Sequence, residues 1–249
     1  MDKHILLIVE GPRDEETLVR KLWDRFDRNA NYIIVPYRTN VHVLIKDLFR
    51  DGIDDDVDVV RYLKSSDIPE DRRIAKSMAF TDVYLIFDFD PQDPLFDGGM
   101  LAKVLRFFSD STDHGKLFIN YPMMQSYRHI TGPHDDGFRD RAVPARIGKK
   151  YKSLVDAEAW KLLKQINTLD KEMLRFIIEC HLKKMNRVVA GDYSLPSLEG
   201  YRSITQSSIL DRQLERMDED GMIFVLNTSL FLIVDYNPHW FLEGSGPQP

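Results

Sequence analysis

Short apolar runs bounded by turn formers punctuate the first half of the chain, and between them apolar residues recur three and four positions apart. Ile5-Leu6-Leu7-Ile8-Val9 and Val83-Tyr84-Leu85-Ile86-Phe87 are continuous enough to be strands buried on both faces. Tyr32-Ile33-Ile34-Val35-Pro36 reads as another strand, closed by its proline, and Lys116 to Asn120 as a further one around Leu117-Phe118-Ile119. Val57 to Leu63 alternates and is predicted as a strand too. Helical spacing marks Asp14 to Arg28, with Leu18, Val19, Leu22, Trp23 and Phe26 on one side. It recurs after Thr39 or Asn40, either of which can cap a helix that turns Val41, Val43, Leu44, Leu48 and Phe49 inward and has Gly52 just past its end. Ser65 to Ala79 is polar and charged, with an ill-defined helix leading into the Val83 strand. Gly98 to Asp110 shows the Leu101, Val104, Leu105, Phe108 spacing of another helix. Such alternation predicts an α/β fold, a mostly parallel sheet flanked by helices.

Beyond Tyr121 the texture changes. His129 to Gly148 is rich in Gly, Pro, Asp and Arg without periodicity and reads as a long loop or hinge. Ser153 to Gln165, Lys171 to Val188 and Gln206 to Met217 are helical in pattern. Met222 to Val234 is strongly apolar, and its Asn227-Thr228-Ser229 centre leaves open one buried helix or two short segments. The chain thus divides into an α/β domain over 1–130, a basic loop or hinge over 131–152, a mainly helical domain over 153–243 and a flexible tail over 244–249.

Composition narrows the setting. Of 249 residues, 43% are hydrophobic and 30% charged, which is the balance of a folded globular protein and not of a disordered one. No apolar stretch approaches the roughly eighteen residues of a membrane span, and the start of the chain lacks the basic-then-apolar pattern of a signal peptide. The single cysteine, Cys180, rules out an internal disulfide. A cytoplasmic location without membrane attachment follows by elimination. The net charge of −6 argues against indiscriminate coating of nucleic acid. Locally the sign reverses, because Arg139, Arg141, Arg146, Lys149, Lys150 and Lys152 face only Asp140 in the same stretch.

Two acidic motifs stand at strand ends. Glu10-Gly11-Pro12-Arg13-Asp14-Glu15 follows the first run, and Asp88-Phe89-Asp90 follows the Val83 run. The carboxyl ends of strands in an open α/β sheet are where its ligand crevice lies. Carboxylates gathered there repel one another and lose hydration, so they call for a cation, and hard oxygen donors suit Mg²⁺ or Mn²⁺. Gly11 would let backbone approach a phosphate or metal closely, and the helix start after Glu10 would orient an anion.

The order strand-Glu-Gly-x-x-Asp-Glu, then strand-Asp-x-Asp, resembles the Toprim domain of topoisomerases, primases and the overcoming-lysogenization-defect nucleases, over residues 1 to about 125. By that resemblance Glu10 matches the family's glutamate, implicated in metal binding or acid/base work. Asp88 and Asp90 match its metal-binding aspartate pair, and Asp14 an additional acid of the nuclease branch. A lysine beyond the Asp-x-Asp motif assists catalysis in related nucleases, which makes Lys149 and Lys150 candidates. Arg139, Arg141, Arg146 and Lys152 would then follow a nucleic-acid backbone. Gln125, at the crevice edge in Asn120-Tyr121-Pro122-Met123-Met124-Gln125, stands where the resemblance leads one to expect an acid. The implied activity is metal-dependent phosphodiester cleavage in DNA or RNA, in a bacterial defence or mobile-element effector. The resemblance also implies a separate ATPase or sensor subunit, since no P-loop is present here, and leaves room for a homo-oligomer.

Blander readings accompany each motif. Glu10 and Asp14 suit the first turn of any helix, Asp88 to Asp93 could be a solvated turn, and the basic run could be a solvated face or an interface. A noncatalytic interaction subunit is the rival in another class, with apolar surface from Met222 to Val234 exposed for a partner. A phosphatase using Asp88 as nucleophile and Asp90 as acid is an enzymatic rival. The seven histidines, including His129, His134 and the Cys180-His181 pair, have no zinc-site spacing.

Overall fold

The computed structural model describes residues 3–50, 52–54, 56–66 and 68–242. The first half contains β1 (His4–Val9), α1 (Asp14–Phe26), β2 (Asn31–Pro36), α2 (Val41–Leu48), α3 (Val59–Leu63), β3 (Asp82–Asp88), α4 (Gly98–Phe107), β4 (Ser109–Asp110) and β5 (Gly115–Asn120). The second half contains β6 (Ala142–Pro144), α5 (Lys150–Glu158), α6 (Lys171–Ala190), α7 (Leu198–Ser203), α8 (Gln206–Asp220), β7 (Met222–Phe224), α9 (Phe231–Tyr236) and α10 (His239–Leu242). Strands of the first half form one five-stranded sheet in the order β2-β1-β3-β5-β4, parallel except for β4 at its edge. The fold is α/β, as the alternation of apolar runs and helical spacing predicts.

The central strands are apolar on both faces because both faces are covered. Ile5 to Val9 and Val83 to Phe87 are all buried. Steps from β1 to β2 and from β3 to β5 run in opposite directions, so right-handed crossovers put α1 and α4 on opposite faces. Trp23 and Phe26 of α1 pack on Tyr236 and Phe241 of α9 and α10, with ring centroids 4.7 and 5.3 Å apart. On the other side α4 meets α8, where a Cβ on Gly98 would lie 3.0 Å from Leu214. The second half therefore closes both sides of the sheet, and one continuous apolar core spans the two halves.

Several elements differ from their sequence prediction. Val57 to Leu63 is not a strand. Val59 and Leu63, four apart, are both buried on α3, and the Asp58 carboxylate accepts the Arg61 N–H at 3.0 Å as its cap. That cap and spacing outweigh the short alternation. The helix from Gly98 closes at Phe107, and Ser109-Asp110 pairs with β5 instead. The helix predicted from Ser153 to Gln165 runs from Lys150 to Glu158, with 3₁₀ turns at Lys161–Leu163 and Ile166–Thr168 after it. Met222 to Val234 is two short segments, β7 and α9. Its apolar residues, including Ile223, Val225, Leu226, Phe231 and Val234, are buried and not displayed as a docking face. Asn40 caps α2, accepting the Val43 N–H at 3.1 Å. Asp170 caps α6, and Gly191, at φ 83°, closes it.

The stretch read as a loop or hinge over 131–152 is structured. It holds a 3₁₀ turn at Asp136–Asp140, and β6 pairs antiparallel with β7, Val143 opposite Ile223. Tyr121 and Leu226 exchange backbone hydrogen bonds of 2.8 and 2.9 Å, which ties the end of the sheet to the second half. The flexible tail predicted at Gly244 to Pro249 lies outside the described residues. No helix among the described residues is long and apolar enough to cross a membrane.

Candidate functional site

The chain steps from β1 to one side of the sheet and from β3 to the other, so the adjacent ends of these two strands form the topological switch point. Glu10 follows β1 directly and Asp88 ends β3. Backbone ladders fix both positions. Glu10 N–H donates to Ile86 at 3.0 Å, and the Glu10 carbonyl accepts Arg38 N–H at 2.8 Å. The Asp88 N–H then donates to Glu10 Oε2 at 3.0 Å, joining the two motifs. Asn120 is the register partner of Asp88 on β5, and its Nδ2 donates to Asp88 Oδ1 at 3.3 Å. The Met124 N–H also faces the Asp88 carboxylate and favours its charged form.

Around this pair the other acids take two sides. Glu15 folds back from the first turn of α1 over Gly11, where a Cβ would lie 2.8 Å from Glu15 Oε2. Gly11 thus makes room for a carboxylate of its own chain. Gly11→Ala is expected to leave the fold intact, displace Glu15 and weaken Mn²⁺ binding about tenfold, as measured by calorimetric titration. Asp14 is exposed, and its Oδ2 accepts Gln125 Nε2 at 2.8 Å and Lys152 Nζ at 3.3 Å. On the far side Asp90, at φ 44°, accepts from Gln92, and Asn40 Nδ2 lies 3.5 Å from Asp90 Oδ2 and 2.5 Å from Asp93 Oδ2. A non-glycine residue in the left-handed region is uncommon, and such residues cluster at functional loops.

Burial pushes the Glu10 carboxyl up to about 7; the Asp88 N–H opposes the rise, and the charges of Glu15 and Asp90 add to it. Asp88 is raised well above the usual carboxylate range, first by burial and then by Glu10 and Glu15. Glu15 is raised mainly by burial, and Asp90 by burial and then Asp93. Among the described residues no group of three or more His, Cys, Asp or Glu side chains is arranged to hold a metal ion. The donor set still suits a hard divalent cation. Its atoms are carboxylate oxygens, they are desolvated, and they repel one another. Glu10, Glu15 and Asp88 make no ion pair with a described basic side chain, while Lys152 pairs with Asp14.

The structure separates the basic residues into two groups. Arg141 holds Asp135 through two bonds of 2.6 and 3.1 Å and donates to the His129 carbonyl at 2.7 Å. Arg139 pairs with Asp140 at 2.7 Å. Arg146, Lys149 and Lys150 are exposed and make no ion pair with a described residue, and Lys150 opens α5 two residues before Lys152. Arg141 is therefore a clamp of the 131–141 stretch in this structure, and the exposed cations nearest the acidic crevice are those around the start of α5. Arg141→Ala leaves the largely buried Asp135 unpaired and is expected to cost about 3 kcal/mol in urea unfolding.

Asn120 and Glu15 stand beside the Glu10–Asp88 pair without having been singled out in sequence. Glu15 sits beside Asp14 in the first motif, and Asn120 ends an apolar run in register with Asp88, so both leave a trace there. A separate surface cleft of about 600 Å³ is lined by Arg187, Arg212 and Arg216. Those guanidiniums are already paired with Asp140, Glu215 and Asp220. Comparison with family models, with curated proteins and with solved structures finds no match.

Proposed function

We propose that this chain is a metal-dependent phosphodiesterase, a nuclease of Toprim type that cleaves DNA or RNA. The observation that carries the reading is the pairing of Glu10 with the Asp88 N–H at the switch point, among half-buried carboxylates that make no ion pair with a described basic side chain. Glu10, Asp88 and Glu15 are the residues that would hold Mg²⁺ or Mn²⁺, with Asp14 and Asp90 flanking. When bound, such an ion supplies Lewis-acid polarisation of the phosphodiester and a nucleophile at neutral pH.

The chain's own residues do the rest. Glu10 uses one oxygen to accept the Asp88 N–H, which leaves the other for a cation or a proton. Lys152 stands at the rim, and Lys149 and Lys150 lie in the preceding turn of chain, where unpaired cations draw a polyanionic backbone to the acidic floor. Gln125 donates to Asp14 and keeps that carboxylate turned to the rim. No P-loop is present, so ATP control would come from another subunit.

The test is incubation of purified protein with plasmid, single-stranded DNA and structured RNA in Mg²⁺, Mn²⁺ or EDTA. Cleavage in either metal and none in EDTA is the expected result. Cleavage that persists in EDTA would reject a metal-dependent site.

A further inference from the structure

The second half reaches the acidic crevice through a chain of buried polar groups that the chemistry above does not use. Asn120, Ser126, His181, Asn227 and Ser229 are all fully buried. Buried amides and hydroxyls are costly unless every one is paired, and apolar residues would fill the same space at lower cost. Here they are paired in sequence. Asn120 donates Nδ2 to Asp88 and accepts the Ser229 N–H on its Oδ1 at 3.2 Å. Ser229 Oγ donates to Asn227 Oδ1 at 2.6 Å. Asn227 Nδ2 donates to the Met124 carbonyl at 2.9 Å and lies 3.2 Å from Ser126 Oγ. Met124 is the residue whose N–H faces Asp88. The Asn227 N–H ends the chain on His181 Nδ1 at 3.1 Å, and His181 Nε2 donates to the Tyr127 carbonyl at 3.3 Å.

The Asn120 amide that holds the Asp88 carboxylate, and the Met124 backbone beside it, are thus braced from behind by the Asn227-Thr228-Ser229 segment. An amide is the group this position requires. Asn120 must donate on one side and accept on the other, which a carboxylate cannot do and an apolar residue cannot replace. The Thr228 hydroxyl, between the two, donates to the Ile119 carbonyl at 2.8 Å and takes no part in the chain to Asp88.

We infer that Asn120 is a positioning residue, locked by Ser229 and Asn227, and that through it the helical half fixes the orientation of Asp88 for cation binding. This rests on the proposed role of Asp88 in holding a divalent ion. Loss of the outer partner of a ligating carboxylate lowers metal affinity by about 10–100-fold.

The experiment compares the full-length wild type with Asn120→Ala, Ser229→Ala and Thr228→Val in Mn²⁺ titration, in cleavage, and in metal-free crystal structures. Asn120→Ala is expected to weaken Mn²⁺ about tenfold or more and to lower kcat more than it raises KM. Ser229→Ala keeps the N–H that Asn120 accepts and removes only the hydroxyl bond to Asn227, so it should move affinity in the same direction by less, and Thr228→Val should leave it unchanged despite removing a buried hydroxyl. The Asp88 carboxylate should be displaced in the Asn120→Ala crystal structure. An undisplaced Asp88 with wild-type Mn²⁺ affinity in Asn120→Ala and Ser229→Ala overturns the inference, and so does an equal loss in Thr228→Val. A wild type without Mn²⁺ affinity, combined with a displaced Asp88 in Asn120→Ala, overturns the metal reading and leaves the positioning role standing. Should Asn120→Ala fail to fold, Asn227→Ala, which removes the amide that holds both Ser229 Oγ and the Met124 carbonyl, decides the matter against Thr228→Val by the same two readouts.

Discussion

Asp88→Asn is expected to abolish metal-dependent cleavage, by about a thousandfold or more, while the protein keeps its fold. Asp88 is the carboxylate at the centre of the site. It accepts from Asn120, faces the Met124 N–H, receives the charges of Glu10 and Glu15, and donates its own N–H to Glu10. An asparagine preserves the oxygen that those donors need and removes the charge that a cation needs. The several kcal/mol that a cation contributes to a phosphoryl transition state then disappear from the rate. Circular dichroism and melting temperature should match the wild type or exceed it, because a buried charge has gone. The comparison is made in the cleavage assay with both proteins prepared identically. Wild-type cleavage by Asp88→Asn would reject the site assignment.

The second large effect concerns stability and pH. Glu10 has its carboxyl raised from an ordinary 4.5 to about 7 in the folded chain. A raised carboxyl costs nothing while it is protonated in both states, below about 4.5, and its cost grows as pH rises to about 7, where the penalty is complete. Such a shift corresponds to about 3 kcal/mol at most, because Asp88 and Glu15 share the repulsion. Glu10→Gln keeps the acceptor for the Asp88 N–H and removes the charge. In EDTA it is therefore expected to be more stable than wild type at pH 8 by about 1–3 kcal/mol and no more stable near pH 4.5. Saturating Mg²⁺ should cancel most or all of that advantage at pH 8, since at a hundredfold excess over Kd a ligand stabilises by about 2.7 kcal/mol and the variant loses that gain. Urea unfolding at the two pH values, with and without metal, measures both. A wild type as stable as Glu10→Gln at pH 8 in EDTA would show that the carboxylates are not in mutual conflict.

These two expectations also separate the rival functions. A solvated turn at Asp88 to Asp93 predicts neither a stability gain in Glu10→Gln nor a metal response. A phosphatase with Asp88 as nucleophile predicts a covalent aspartyl-phosphate. The interaction-subunit reading has lost the apolar surface expected of it, since Met222 to Val234 supplies core and bracing.

The sequence by itself determined the central strands of the sheet and where they end. Ile5 to Val9 and Val83 to Phe87 have no polar residue to turn outward, so they can only be central strands under two layers of helix, and the acids that follow them can only stand at the sheet's carboxyl edge. Long helices with caps, such as Lys171–Ala190 after Asp170, were equally legible, because cap and period are local. Short elements were not. Val57 to Leu63 fits both periods over seven residues, and the choice fell to the burial of Val59 and Leu63 together. The site's inner shell was decided only by tertiary structure. Gln125 on Asp14 and Ser229 behind Asn120 join residues 111 and 109 positions apart. No local pattern records such pairings, since each depends on where the sheet register and the returning second half bring one donor to one acceptor.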